Sequence, residues 1–152
     1  MTLKLNGEPI LAEDLRQPRR WKKGDVIELD LPMKARLVEA NPLVEEAKNQ
    51  VAVMRGPIVY CLEGQDIEGN YRINDIAIPD DIQFTEKKIT ICGHEMIALE
   101  GDALLLNQTP WNNNTLYRDL RPTRKQKVRI RLIPYYAWDN RGIQDMSIWL
   151  NR

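Results

Sequence analysis

One histidine, two cysteines and one phenylalanine are all that 152 residues hold of these types. So few Cys and His exclude a zinc-finger array, a disulfide scaffold and any closed four-ligand Cys/His site made by this chain alone. Net charge is also absent, with 22 Lys+Arg against 22 Asp+Glu. A strongly basic nucleic-acid footprint is thereby excluded at the level of the whole chain. No apolar run approaches the ~18 residues of a membrane span. Met1 to Gly7 contains no signal-peptide-like apolar core, so the chain reads as soluble structure from its first residues; nothing in it marks a compartment.

What is present is ordinary globular material, 43% hydrophobic and 29% charged. The length suits one domain, or one domain with a fragment of another. Short alternating or apolar runs cut by Gly, Pro, Asn and Asp dominate, which is a β pattern. Asn6-Gly7 marks a tight turn after Leu3 and Leu5. Ile27, Leu29 and Leu31 alternate with Glu28 and Asp30, as in a half-buried strand. Ile58 to Leu62 is continuous and apolar, which fits burial on both faces. Lys88–Cys92 and Glu95–Leu99 form a hairpin across Gly93-His94. Ala103–Leu106 adds a strand. Val128, Ile130 and Leu132 point inward between Lys127, Arg129 and Arg131. Met146–Leu150 closes the chain as one strand. A short helix of about two turns is expected over Asn41–Lys48, with Asn41 as cap and Pro42 at the first position. The pattern predicts an all-β protein, an antiparallel β-sandwich of jelly-roll type with at most one or two short helices.

Chemistry is sparse. His94 falls in a predicted turn, with no preorganised partner for general-base work. Cys61 and Cys92 behave as small hydrophobes, and a bridge between them needs a proximity that sequence cannot establish. The carboxylates from Glu63 to Asp81 cluster in a polar stretch and read as a solvated acidic loop, not as a glycosidase pair. The basic cluster from Arg118 to Arg131 carries no interleaved aromatics, so nucleic acid is not a partner. Two aromatic clusters remain. Trp111 lies among amides in Pro110-Trp111-Asn112-Asn113-Asn114, and Tyr135-Tyr136-Ala137-Trp138-Asp139-Asn140-Arg141-Gly142 adds the rigid donor fork of Arg141. Either suits sugar stacking or packing against another surface.

Five stretches, in order, carry a resemblance. Leu5-Asn6-Gly7-Glu8 is similar to a Val-Asn-Gly-Glu turn. Arg20-Trp21-Lys22-Lys23-Gly24-Asp25 is similar to an Arg-x-Trp-x-x-Gly-Asp strand entry, with one residue fewer between Arg and Trp. Leu31-Pro32-Met33 follows. Val51-Ala52-Val53-Met54-Arg55-Gly56-Pro57 then leads through Val59-Tyr60 to Glu63. Ile133-Pro134-Tyr135-Tyr136-Ala137-Trp138-Asp139-Asn140-Arg141-Gly142, with Met146 and Trp149, closes the series. Together they resemble the C-terminal β-sandwich region of glycoside hydrolase family 127, the β-L-arabinofuranosidases. In that family the chemistry lies upstream in an (α/α)6 barrel, where a zinc-bound cysteine is the nucleophile and glutamates assist. None of those motifs occurs here. The resemblance therefore implies no catalytic residue and no cofactor in this chain, zinc being implied only for the missing catalytic domain. It implies residues 1–33 as a partial remnant of a first β-sandwich and 34–152 as a second, C-terminal one. The implied role is non-catalytic: packing on the helical-barrel domain, with Arg55, Tyr135, Tyr136, Trp138, Asn140 and Arg141 as docking positions. The alternative is an independent carbohydrate-binding module for plant-type glycans, using Trp111 or Tyr135 and Trp138. A second copy paired along exposed strand edges is a further expected partner.

Overall fold

The structure is a computed structural model that describes residues 2–69, 71–106, 110, 114–120 and 126–152. The chain divides into two compact units, Met1–Lys34 and Ala35–Arg152. Among the described residues there is no α-helix. The elements are strands and four single 3-10 turns at Asp14–Arg16, Glu45–Ala47, Ile73–Asp75 and Tyr135–Ala137. Among the described residues no helix is long and apolar enough to cross a membrane.

The first unit is a three-stranded antiparallel sheet. It consists of β1 (Thr2–Leu5), β2 (Glu8–Pro9) and β3 (Ile27–Asp30), in the order β2-β1-β3. The expected Asn6-Gly7 turn is there, with φ of 52° and 86°. Both values lie in the left-handed region that Asn and Gly tolerate. Asn6 also fixes the far strand: its Oδ1 accepts from the Val26 N–H at 2.8 Å and its Nδ2 donates to Asp25 Oδ1 at 3.0 Å. Leu3 pairs with Leu29 and Leu5 with Ile27, so all four share one face. That face was expected to be the buried side of a half-buried strand. Ile27 and Leu29 are instead about half exposed, because so small a unit has no second layer to lay over them.

The second unit contains β4 (Ala35–Val38), β5 (Gln50–Arg55), β6 (Ile58–Ile67) and β7 (Ile76–Ala77). It continues with β8 (Thr85–Ile91), β9 (His94–Leu105), β10 (Gln126–Pro134), β11 (Met146–Ser147) and β12 (Leu150–Asn151). Pairing runs β5-β6-β10-β9-β7-β12 and returns from β12 to β5, so six strands close a ring. The all-β expectation holds, but this ring is a barrel where two open sandwich layers were expected. Closure depends on one short parallel pairing. Asn151 lies opposite Ala77, and its carbonyl accepts from the Ile78 N–H at 2.7 Å. β4, β8 and β11 attach to β5, β9 and β6 outside the ring.

The barrel interior is filled by side chains such as Val53, Tyr60, Leu62, Leu99, Leu105, Ile130 and Leu132, as in other small barrels. The alternation predicted for β10 is observed: Val128, Ile130 and Leu132 are buried, and Lys127, Arg129 and Arg131 face out. A second apolar cluster of Cys61, Ile91, Met96, Ile133 and Ala137 lies apart from the interior cluster. Cys61 and Leu62 point to opposite faces of β6, so the two clusters together explain the continuous apolar run.

Several local expectations shift. The Asn41–Lys48 helix reduces to the single turn at Glu45–Ala47. Asn41 Oδ1 takes the Leu43 N–H at 3.0 Å in an Asx turn, two residues on, and so starts no helix. The hairpin forms, but its turn is Cys92-Gly93, and His94 opens β9 opposite Ile91. β9 runs unbroken through Ala103, and the final strand splits into β11 and β12.

Candidate functional site

The most distinctive chemistry lies where β6 parts from β10. Leu62 pairs with Leu132 and Ile67 with Ile130, so four residues of β6 span the place of one on β10. The extra length loops out as Glu63-Gly64-Gln65-Asp66. Bulges of this kind re-aim side chains that a regular strand would alternate. Both carboxylates of this bulge are buried, beneath the segment 139–145. Glu63 has 0% exposure and is the only charged residue of the described chain in the buried class. The Asp66 side chain is 4% exposed. The expected solvated acidic loop is therefore wrong at these two positions.

A single guanidinium meets both. Arg141 Nε donates to Glu63 Oε2 at 3.0 Å and Nη1 to Asp66 Oδ1 at 3.1 Å, while Nη2 bridges both carboxylates. A planar donor fork suits this, where lysine would offer one point charge. Glu63 also accepts from Gln65 Nε2 at 3.0 Å, Gln144 Nε2 at 3.3 Å and the Asp139 N–H at 3.2 Å. Gln144 Oε1 in turn takes the Gln65 N–H at 3.0 Å, and the Asp145 carbonyl takes the Gly64 N–H at 3.0 Å. Arg141 is held above the ordinary guanidinium value. Burial, the largest influence, pulls it down, and the pairs with Asp66 and then Glu63 outweigh that pull. The network ties residues 139–145 to the bulge. An open groove of about 580 Å³ runs beside it, lined by Tyr71, Arg72, Gln65, Arg141, Ile143 and Gln144 among others.

The aromatic cluster precedes this loop. Tyr135 and Tyr136 sit on the last 3-10 turn, and the Tyr135 and Trp138 rings stack, 6.0 Å apart and 8° from parallel. Tyr135, Tyr136 and Trp138 are 42%, 66% and 40% exposed. Asn140 braces them from behind: its Nδ2 donates to the Ala137 carbonyl at 3.2 Å and the Trp138 carbonyl at 3.1 Å. Arg55 stands elsewhere, at the end of β5, in a two-pronged pair with Glu86 of β8 at 2.7 and 2.8 Å. Trp111 lies outside the described residues. The structure thus gathers Tyr135, Tyr136, Trp138, Asn140 and Arg141 on one segment and leaves Arg55 on another pair of strands. Glu63, Asp66 and Gln144 were missed. The one signal available was Glu63 at the end of the apolar run Ile58–Leu62, where burial is set by the strand before it.

Cys61 and Cys92 are free thiols. Cys61 is fully buried, and burial, with Glu63 nearby, pushes its pKa up to about 12. Such a thiol stays protonated, while metal binding and nucleophilic attack need the thiolate. Cys92 is exposed, at φ 49°, and its Sγ donates to the Asn140 carbonyl at 3.2 Å. Among the described residues no three His, Cys, Asp or Glu converge as a metal site.

Together the residues of the second unit form a small closed barrel whose buried charges hold a loop. Comparison with known proteins places it. The family model of the glycoside hydrolase family 127 C-terminal domain matches residues 35–151, and the chain belongs to that family. It is 33% identical to the non-reducing end β-L-arabinofuranosidase of Bifidobacterium longum, over 99% of this chain and 24% of that protein. A solved structure of the Geobacillus stearothermophilus T6 family 127 β-L-arabinofuranosidase superposes with a TM-score of 0.78 at 33% identity, over 99% of this chain and 24% of that one. Another, described as a glycoside hydrolase, gives 0.77 at 45% identity over 99% and 25%. The chain thus spans about a quarter of the length of these relatives.

Proposed function

We propose that this chain is the non-catalytic, C-terminal accessory domain of a β-L-arabinofuranosidase-like glycoside hydrolase, packing on and stabilising a helical-barrel catalytic domain. One observation carries this reading. Glycosidase chemistry needs one carboxyl free to give a proton and another free to attack or to activate water. Glu63 and Asp66, the two buried carboxylates of the bulge, share one guanidinium, and neither is free for either task. Zinc, in this reading, belongs to the catalytic domain of the parent chain. Residues 1–33 belong to a first β-sandwich completed by other strands of that parent, which supplies the cover that Ile27 and Leu29 lack. Arg55, Tyr135, Tyr136, Trp138, Asn140 and Arg141 serve packing and docking.

The test is hydrolysis of an aryl β-L-arabinofuranoside by the purified chain and by its full-length parent, with and without added zinc. The chain is expected to show no turnover under either condition and the parent to show turnover. Removal of the domain is expected to lower the parent's melting temperature. Turnover by the chain alone would overturn the reading.

A further inference from the structure

An exposed isoleucine on a floppy loop means little, since much of any protein surface is apolar. Ile143 is different. It is fully exposed, yet the residues on both sides of it are fastened from below: Arg141 to Glu63 and Asp66, Gln144 to Glu63 and Gln65, and the Asp145 carbonyl to Gly64. Gly142, at φ +102°, makes the turn that lifts Ile143 away from this anchor. A side chain held out on a rigid support binds with little ordering cost. Beside it runs the open groove with Tyr71 and Arg72 on its wall. Among the described residues no carboxylate pairs with Arg72. An apolar knob, a groove and an unpaired cation at the rim make a docking surface of ordinary anatomy.

We infer that the loop 141–145 is the ledge on which the catalytic domain of the same polypeptide docks, Ile143 entering an apolar pocket of that domain and Arg72 meeting a carboxylate at its edge. This rests on the accessory-domain reading and adds the face and the anchor. The occupant follows from length: about three quarters of each relative lies outside the matched region, so the nearest partner is tethered in cis at high effective concentration.

The test is hydroxyl-radical footprinting of the full-length parent, read residue by residue. Leu43, 88% exposed, is the aliphatic reference. Ile143 is expected to be labelled about tenfold less than Leu43, as a buried anchor is. Equal labelling of Ile143 and Leu43 overturns the inference. If another face of residues 35–152 is then protected, the accessory reading survives without the ledge; if no face is protected, both fail. Protection of Ile143 that appears only with added arabino-oligosaccharide assigns the ledge to glycan and also overturns it. Ile143→Glu in the parent supplies the second measurement. The side chain is free within its own domain, so the domain keeps its fold. Limited proteolysis is expected to separate the domains about tenfold faster. An unchanged rate overturns the inference.

Discussion

Replacing Arg141 with alanine removes the only cation that, among the described residues, pairs with the two buried carboxylates. Glu63 keeps Gln65, Gln144 and the Asp139 N–H, all neutral donors, at zero exposure. Asp66, 4% exposed, loses its guanidinium as well. Stranding one member of a buried pair typically costs about 3–5 kcal/mol, because the remaining charge is left without compensation. In a domain whose total stability is about 5–15 kcal/mol, that is a large fraction. It corresponds to a fall in melting temperature on the order of 10–20 °C. The assay is urea unfolding followed by tryptophan fluorescence, with thermal melts beside it. Arg129→Ala is the control: Arg129 is 42% exposed and pairs with Glu100 at 3.4 Å and Asp102 at 3.2 Å. Exposed pairs contribute about 0.2–1 kcal/mol, so the control shifts little. Glu63→Gln added to Arg141→Met is expected to recover part of the loss, since it removes one stranded charge. Equal losses below ~1 kcal/mol for Arg141→Ala and Arg129→Ala would refute the reasoning.

Native labelling with iodoacetamide is expected to modify Cys92 and spare Cys61, whose thiol is buried and has a pKa pushed up to about 12. Two adducts forming at equal rates in the native mass spectrum would contradict this. Glu100 is held below the ordinary value of 4.5, chiefly by its hydrogen bond from Arg131. Its contribution to stability is therefore complete above that value and is lost as pH falls through the lowered one. Glu100→Gln should flatten the acid side of the stability curve below pH 4.5, and an unchanged slope would count against the pair. Gly101 in β9 is tightly enclosed: a Cβ there would meet Ile82 Cδ1 at 3.0 Å and Phe84 Cδ1 at 3.2 Å, so those side chains must give way. Gly101→Val is expected to cost about 1–3 kcal/mol by overpacking, and a variant as stable as the parent protein would refute the close fit.

The failures of sequence reasoning share a cause. The β10 alternation, the Asn6-Gly7 turn and the hairpin were legible because each depends on neighbours a few residues away. The acidic stretch was misread at Glu63 and Asp66 because what meets them lies in the segment 139–145, Arg141 standing 78 residues beyond Glu63. Ile27 and Leu29 carry a correct strand pattern, but the pattern says only which face is apolar, not whether anything covers it. Nor does a run such as Ile76-Ala77 announce that it will join the last residues of the unit and shut the sheet into a ring.

By itself, then, the sequence determined the all-β class, most strand positions, the inward face of β10 and, through five ordered motifs, the family. These are local properties: side-chain period, turn residues, the scarcity of His and Cys and the lack of a charge bias. Only the tertiary structure decided that the sheet closes as a barrel, that two buried carboxylates share Arg141, and that Ile143 is held out on a fixed loop. Each of these needs residues far apart in the chain to meet in one place. Pair chemistry depends on distance in space, and a linear pattern does not record it.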